Sequence, residues 1–199
     1  MKILVTGVNG QLGHDVMNEL AKRNIEALGC GRALTYKGIR RGYAMETMAY
    51  RQLDITNQRQ VFETIQEYHP DAVIHCAAWT AVDAAEESEN IPKVLATNVD
   101  GTKYIAEVCK EIDAKMIYLS TDYVFDGQGT KPWKPEEKNY KTLSVYGQTK
   151  LEGELVVAET LSKYFIVRIA WVFGINGNNF VKTMLKIGRT HDILRVVND

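Results

Sequence analysis

Short runs of consecutive apolar residues alternate along this chain with longer stretches in which apolar residues recur every three or four positions. The first run, Ile3 to Thr6, ends in a glycine, and Leu12, Val16 and Leu20 follow it with helical spacing. Runs of four to six apolar residues between helices are typical of parallel strands buried on both faces. We expect strands over residues 3–6, 25–28, 51–55, 72–76, 116–120, 165–170 and 193–197, and later helices over 61–68, 92–112, 145–161 and 180–189.

This alternation predicts an α/β fold, a doubly wound parallel sheet of the Rossmann type, because right-handed crossovers place helices on both faces of the sheet. Two segments interrupt the rhythm. Residues 29–51 carry five basic residues against Glu46 and predict a basic loop, and residues 126–139, with two glycines and two prolines, predict an irregular surface segment. The last predicted strand is followed only by Asn198 and Asp199, so we expect the chain to be truncated.

Composition narrows the function classes. The 199 residues have a formal net charge of −1, which argues against binding of nucleic acid or an anionic membrane through bulk charge. Three widely spaced cysteines, Cys30, Cys76 and Cys109, predict neither a disulfide framework nor a zinc finger. No apolar run is long enough to span a membrane, and the first seven residues do not have the pattern of a signal peptide. We expect a cytoplasmic protein.

Glycines follow the first strand at the point where the first helix begins. Gly7, Gly10 and Gly13 have the spacing that permits a tight turn, close approach of the backbone to a pyrophosphate, and close packing of helix on strand. Free N–H groups at the start of the helix would face the phosphates. Because the motif lies between a strand and an amphipathic helix, it predicts a dinucleotide site rather than an ordinary turn.

The end of the second strand lacks the acidic residue that would bind the ribose hydroxyls of the adenosine. Arg32 stands there instead, and a guanidinium suits a 2′-phosphate, so NADPH is predicted as the cofactor and NADH stays open. The alternative is that Arg32 belongs to a solvated loop. Asp54 could accept the adenine amino group with Ile55 on the ring, or it could cap the helix that begins near Asn57.

Small residues end the fourth strand. Ala77 and Ala78 would let a cofactor pass close to the backbone. His75, just before them, has no second ligand at metal spacing and is predicted to be a packed strand residue. The sequence therefore predicts no metal site.

Proton-transfer chemistry is predicted near the fifth strand. Tyr146 and Lys150 lie at i and i+4, which places them on one helix face with roughly 5–6 Å between their Cβ atoms. A lysine ammonium beside a phenol is expected to lower the phenol pKa and make it a proton shuttle. Thr121, at the end of the strand, could donate to the same carbonyl oxygen.

With these motifs the chain resembles the extended short-chain dehydrogenase/reductase family and, within it, the dTDP-4-dehydrorhamnose reductases. The resemblance covers essentially the whole chain. It rests on residues 7–13 (GVNGQLG), 77–86 (AAWTAVDAAE), 120–127 (STDYVFDG), 145–154 (VYGQTKLEGE) and 168–174 (RIAWVFG).

The resemblance implies reduction of the 4-keto group of a dTDP-sugar by NADPH. It assigns catalysis to Thr121, Tyr146 and Lys150, and contact with the sugar nucleotide to Asp122 and Trp171. The alternatives are a turn-capping role for Asp122 and a core position for Trp171. The cofactor would be lined by Gly10, Gln11, Leu12, Asp54, Ile55, Ala77, Ala78 and Thr80.

The resemblance also implies supporting roles and a division of the chain. Asn98 would support the helix of the active site, and Asn179 would either border the substrate pocket or cap its helix. Residues 1–170 would form the dinucleotide-binding domain, and residues 171–199 would begin a substrate-binding lobe. A homodimer and a dependence on magnesium are left open.

Two other functions stay open. One is another reductase, an epimerase or a dehydratase of the same superfamily, although a dehydratase would want an Asp-Glu pair directly after the threonine, where this chain has Asp122 and Tyr123. The other is a non-catalytic cofactor-binding subunit similar to the methionine adenosyltransferase β-subunit. The intact Thr121, Tyr146 and Lys150 favour the enzyme.

Overall fold

A computed structural model describes residues 1–128, 130–194 and 196. Six strands form one sheet in the order β3-β2-β1-β4-β5-β6, and every pairing is parallel. The predicted doubly wound parallel sheet is confirmed. The strands are β1 (Lys2–Thr6), β2 (Glu26–Gly31), β3 (Ala49–Gln52), β4 (Ala72–His75), β5 (Lys115–Thr121) and β6 (Tyr164–Ile169).

Seven α-helices connect or follow these strands. They are α1 (Gln11–Lys22), α2 (Gln58–Tyr68), α3 (Val82–Ala85), α4 (Ile91–Leu95), α5 (Gly101–Glu111), α6 (Val145–Thr160) and α7 (Phe180–Ile187). Short 3₁₀ turns lie at Ala44–Glu46 and Asp122–Val124. No helix among the described residues is both long and apolar enough to cross a lipid bilayer.

The core lies on both faces of the sheet. On one face Leu4 and Val73 pack with Ile65 of α2 and Ile105 of α5. On the other face a smaller cluster joins β1 and β2 to Met17 of α1 and to two residues of the segment after β2, Tyr36 and Met45. That segment is the one for which the sequence predicts a basic loop, and its apolar side chains pack it onto α1.

Several predicted bounds and faces are wrong in detail. The buried face of α1 carries Gly13, Met17 and Leu20, whereas Leu12 and Val16 are only partly buried. The third strand pairs with Leu28–Gly31 of β2 only as far as Gln52, so it ends two residues before Asp54. The expected last strand over 193–197 is not formed at Ile193, Leu194 or Val196, and its remaining residues lie outside the described part. Residues 126–128 and 130–139 form no helix or strand, as predicted.

The predicted helix over 92–112 contains a π-helical turn. Residues Ala96–Asp100 widen the helix between α4 and α5. Single π turns inside α-helices are frequent at functional sites, because the extra residue changes the direction of nearby side chains and frees backbone groups. Asn98 is buried within this turn. No sequence pattern predicted it.

The connections from β1 and β4 leave in opposite directions, and the point where they separate is the place where ligands bind in such sheets. Gly7 lies directly there, with φ +72° and no room for a side chain. A Cβ on Gly7 would lie 2.6 Å from the backbone nitrogen of Ala77. The ends of β1 and β4 therefore approach each other as closely as backbones can.

Candidate active site

A cleft of about 920 Å³ opens at the carboxyl ends of the strands. It contains every residue that the sequence assigned to cofactor, substrate or catalysis, so residues from the whole chain are brought together in one place. These lining residues are Gly7, Gly10, Gln11, Leu12, Gly13, Arg32, Asp54, Ile55, Ala77, Ala78, Thr80, Thr121, Asp122, Tyr146, Lys150 and Trp171.

The start of α1 is suited to bind an anion. Gly10 is the N-cap residue and offers no side-chain hydrogen bond to the first turn, which also contains no acidic residue. The free N–H groups of the first turn, and with them the positive end of the helix dipole, therefore face the cleft, where Gln11 and Leu12 lie. A Cβ on Gly13 would lie 2.5 Å from the carbonyl oxygen of Gly7, so the third glycine permits the close packing of helix on loop. These features fit the pyrophosphate of a dinucleotide.

On the side of the cleft next to β2, cations outnumber carboxylates. Arg32 directly follows the strand, and Lys37 also lines the cleft. Asp54 is the carboxylate on this side, and its Oδ1 accepts hydrogen bonds from the amide and hydroxyl of Thr56 at 3.0 and 2.8 Å. The suggestion that Asp54 caps the next helix is wrong, since Asn57 is the N-cap of α2.

On the side next to β5, the strand and α6 bring three polar residues together. Thr121 is the last residue of β5, and Tyr146 and Lys150 lie one turn apart near the start of α6. Ser144 begins this helix by accepting a hydrogen bond from the amide of Gly147 at 3.0 Å. Gly147 lacks a side chain where α6 meets the backbone of Tyr123, so the helix can lie directly against the turn after β5.

Burial dominates the electrostatics of Lys150. Its side chain is 3% exposed, and its Nζ lies 4.0 Å from the centre of the Tyr118 ring. Desolvation lowers the pKa of Lys150 to about 7, against the raising effects of the Glu154 and Cys76 side chains. The ammonium is therefore poised to exchange its proton near neutral pH.

The expected lowering of the Tyr146 pKa by Lys150 is wrong for this structure. Burial raises the pKa of Tyr146 above its usual value, and the Thr121 hydroxyl beside the phenol acts in the opposite direction. Lys150 is not among the groups that act on the Tyr146 pKa, and its ammonium lies over the Tyr118 ring. Tyr146 is consequently a protonated phenol at neutral pH, ready to donate rather than to accept a proton.

Asn98 connects the widened helix turn to both the cleft and α6. Its Oδ1 accepts from the amide of Trp79 at 2.8 Å, and its Nδ2 donates to the hydroxyl of Thr149 at 3.1 Å. Thr149 in turn donates to the carbonyl of Tyr146 at 3.0 Å. Asn98 does not line the cleft, but it holds the loop after β4 and the helix of Tyr146 in one arrangement.

His75 is buried at the end of β4, below the cleft, as the prediction of a packed strand residue had it. Thr6 Oγ1 accepts from the amide of Ala77 at 3.2 Å and lies 2.7 Å from His75 Nδ1. Thr102 donates to the carbonyl of Asn98 at 2.7 Å and lies 3.2 Å from His75 Nε2. Burial lowers the pKa of His75 to about 3, so the ring is neutral. Thr102 uses its proton on Asn98, so Nε2 donates to Thr102 and Nδ1 accepts from Thr6.

The segment after β6 closes one side of the cleft and contains residues that the sequence analysis missed. Trp171 is 73% exposed and has φ +53°, with its ring 5.3 Å from that of Phe180, so the core role is wrong. Asn176 donates to the carbonyls of Asn9 and Gly10, each at 3.1 Å. Asn179 caps α7 by accepting from the amide of Lys182 at 3.0 Å, as one alternative predicted.

One further alternative from the sequence is decided at the turn after β5. Asp122 lies in the turn after β5, and Thr121 caps that turn by accepting from the amide of Tyr123 at 3.3 Å. The capping role suggested for Asp122 is therefore wrong. Within the part of the chain that the structure describes, no group of three or more His, Cys, Asp or Glu side chains could hold a metal ion.

The whole chain matches a known protein family. Residues 1–199 match the family described as RmlD substrate binding domain. The chain belongs to this family. A dTDP-4-dehydrorhamnose reductase of Aggregatibacter actinomycetemcomitans is 38% identical over 198 residues, which are 100% of this chain and 60% of that protein. The resemblance stated from the motifs is thereby confirmed. This member of the family spans about 60% of the length of such relatives.

Solved structures of the family share the fold. A dTDP-4-dehydrorhamnose reductase of Clostridium acetobutylicum is 41% identical with a TM-score of 0.84, covering 99% of this chain and 62% of its own. A second dTDP-4-dehydrorhamnose reductase, from Bacillus anthracis in complex with NADP, is 36% identical with a TM-score of 0.78. The match covers 96% of this chain and 60% of that chain.

Proposed function

We propose that this chain reduces the 4-keto group of dTDP-4-dehydro-L-rhamnose with NADPH and releases dTDP-L-rhamnose. The observation that carries the proposal is the placement of Thr121, Tyr146 and Lys150 in the same cleft as an uncapped helix N-terminus. Relatives and structures named for this reductase, one of them in complex with NADP, support it.

The proton comes from this chain. A nicotinamide cofactor, when bound, supplies hydride to the keto carbon, and the oxygen of that carbonyl gains negative charge. Tyr146, whose pKa is raised by burial, keeps its proton at neutral pH and donates it to this oxygen. The Thr121 hydroxyl donates a hydrogen bond to the same oxygen and so stabilises the charge as it develops.

Lys150 acts through its charge. Because its pKa is lowered to about 7, it is only partly protonated at neutral pH, and its ammonium adds positive charge to the cleft. It would also donate hydrogen bonds to ribose hydroxyls of the cofactor. We therefore expect its loss to weaken cofactor binding as well as turnover.

The cofactor would lie across the cleft. Gly10, Gln11 and Leu12 would hold its pyrophosphate, and Asp54 and Ile55 would hold its adenosine. Ala77, Ala78 and Thr80 would leave room for the nicotinamide half, because their side chains are small. Arg32 favours NADPH over NADH, because a guanidinium at this position pairs with a 2′-phosphate.

The sugar nucleotide would enter from the side that Asp122 and Trp171 line. The indole is exposed and held by Phe180, so it offers a flat apolar surface to a base or sugar ring. We propose that residues 1–170 bind the dinucleotide and that residues 171–199 begin the lobe that binds this substrate.

Oxidation of NADPH by the purified chain, followed by absorbance with dTDP-4-dehydro-L-rhamnose as substrate, tests the proposal. We expect turnover by the parent and a loss of turnover by Tyr146→Phe. Binding of NADPH without turnover of any dTDP-4-keto sugar would contradict the reductase and favour a cofactor-binding subunit. Turnover that survives in Tyr146→Phe would remove Tyr146 from the mechanism.

A further inference from the structure

Residues 31–37 form a turn of chain that is tied down at both ends. At its start, the hydroxyl of Tyr50 lies 3.1 Å from the carbonyl oxygen of Gly31 and also bonds that of Ala33. At its end, the amide of Lys37 donates to Asn9 Oδ1 at 2.7 Å. Asn9 Nδ2 donates to Tyr50 at 3.2 Å, so one asparagine of the glycine loop joins both attachments.

The chain beyond this turn is also held. Tyr36 is buried, and its hydroxyl bonds the imidazole of His14 on α1. Asn176, 4% exposed, accepts from the amide of Ile39 at 3.2 Å while it donates to the glycine loop. The backbone that carries Lys37 is therefore attached on both sides, so the point from which its side chain extends toward the cleft is fixed.

Three of the five cations of this segment are occupied or lie outside the cleft, and the other two, Arg32 and Lys37, are not. Arg51 pairs with Glu67 at 2.8 Å, and the guanidinium of Arg40 lies 5.5 Å from the centre of the Tyr36 ring. Arg41 does not line the cleft. Arg32 and Lys37 both line it, and within the described residues neither forms an ion pair.

We infer that Lys37 is a specificity-determining residue that binds the 2′-phosphate of the adenosine ribose together with Arg32. The inference rests on the proposed function, since it places the adenosine end of the cofactor beside β2. A phosphate monoester carries up to two negative charges, and one guanidinium leaves part of that charge unpaired. An ammonium on a fixed backbone supplies the second cation.

Titration calorimetry with 2′,5′-ADP and with 5′-ADP as probes tests the inference without turnover. The parent should bind 2′,5′-ADP more tightly than 5′-ADP. Lys37→Ala should weaken binding of 2′,5′-ADP about tenfold, as expected for loss of one charge-assisted contact, and should change binding of 5′-ADP less than about twofold. Lys37→Arg should keep the preference, and Arg41→Ala is the matched control from the same segment that should change neither affinity.

Three results would overturn the inference. The first is unchanged affinity of Lys37→Ala for 2′,5′-ADP while Arg32→Ala loses affinity. The second is an equal effect of Lys37→Ala on both probes, which would mean that the side chain does not meet the 2′-phosphate. In both cases the parent could still oxidise NADPH, and the proposed function would stand. The third is a parent that binds neither probe, which would overturn the cofactor site as well.

Discussion

Thr121 and Lys150, on the side of the cleft next to β5, are almost fully buried, whereas Arg32 and Lys37, next to β2, are exposed. The buried side consists of residues that contact one another through one strand and one helix. The exposed side is held by bonds between distant segments, such as the one between Ile39 and Asn176, which are 137 residues apart. The residues proposed for proton transfer are thus positioned by β5 and α6, whereas the residues proposed for cofactor choice are positioned by hydrogen bonds between distant segments.

The difference has an energetic consequence. Burial shifts the pKa values of the residues next to β5, and a polar group that loses its partner there, such as the amide of Trp79 bonded to Asn98, is costly. Exposed cations are screened by water and salt, and they cost little to maintain. We therefore expect substitutions next to β5 to affect rate and stability strongly, and substitutions next to β2 to affect mainly the choice of nucleotide.

The largest effect is expected from Tyr146→Phe. Loss of the proton donor should lower kcat about 10²- to 10⁴-fold, while NADPH affinity changes only a few-fold because the ring is kept. Steady-state kinetics with a separate binding titration would measure both. Tyr104→Phe on α5, away from the cleft, is the matched control and should behave like the parent. A near-parent kcat in Tyr146→Phe would contradict the proposed mechanism.

Asn98→Ala should destabilise the fold by about 2–3 kcal/mol, because it leaves the amide of Trp79 and the hydroxyl of Thr149 without their partner. Urea denaturation measures the free energy of unfolding. The exposed Asn139→Ala should change it by less than about 0.5 kcal/mol. Equal stabilities of the two variants would show that the buried side does not depend on this asparagine.

Arg32→Ala should reduce the preference for NADPH over NADH, mainly through the KM for NADPH. A lost contact between a guanidinium and a phosphate corresponds to roughly ten- to hundredfold in affinity, and we expect the lower end because Lys37 remains. The ratio of kcat/KM for the two cofactors is the measurement. Equal kcat/KM values for NADPH and NADH in the parent, or an unchanged ratio in Arg32→Ala, would favour the alternative that Arg32 belongs to a solvated loop.

The last prediction concerns the dependence of stability on pH. The Lys150 pKa is lowered from 10.5 to about 7, so above pH 7 the native state loses a proton that the unfolded state keeps. The free energy of unfolding should then rise with pH, by at most about 1.4 kcal/mol per pH unit. Denaturation at about pH 7 and about pH 8.5 should show this rise in the parent and a smaller one in Lys150→Met. Identical pH dependences of the parent and Lys150→Met would mean that titration of Lys150 does not cause the rise.

Two parts of the candidate site could be predicted because the residues of each part are neighbours in sequence. The spacing of Gly7, Gly10 and Gly13 after a strand predicts an anion site at a helix start, and the spacing of Tyr146 and Lys150 predicts a shared helix face. The pKa direction of Tyr146 could not be predicted, since spacing does not reveal how deeply a phenol is buried or where the lysine points.

The sequence by itself determined the order of strands and helices, the glycine loop and the pair on α6, because these depend on apolar runs and on spacing within one element. Only the tertiary structure decided that Trp171 is exposed and that Asn176 joins three loops around the cleft. The physical reason is that burial and long-range hydrogen bonds depend on which distant segments meet. The pattern along one stretch of chain carries no information about that.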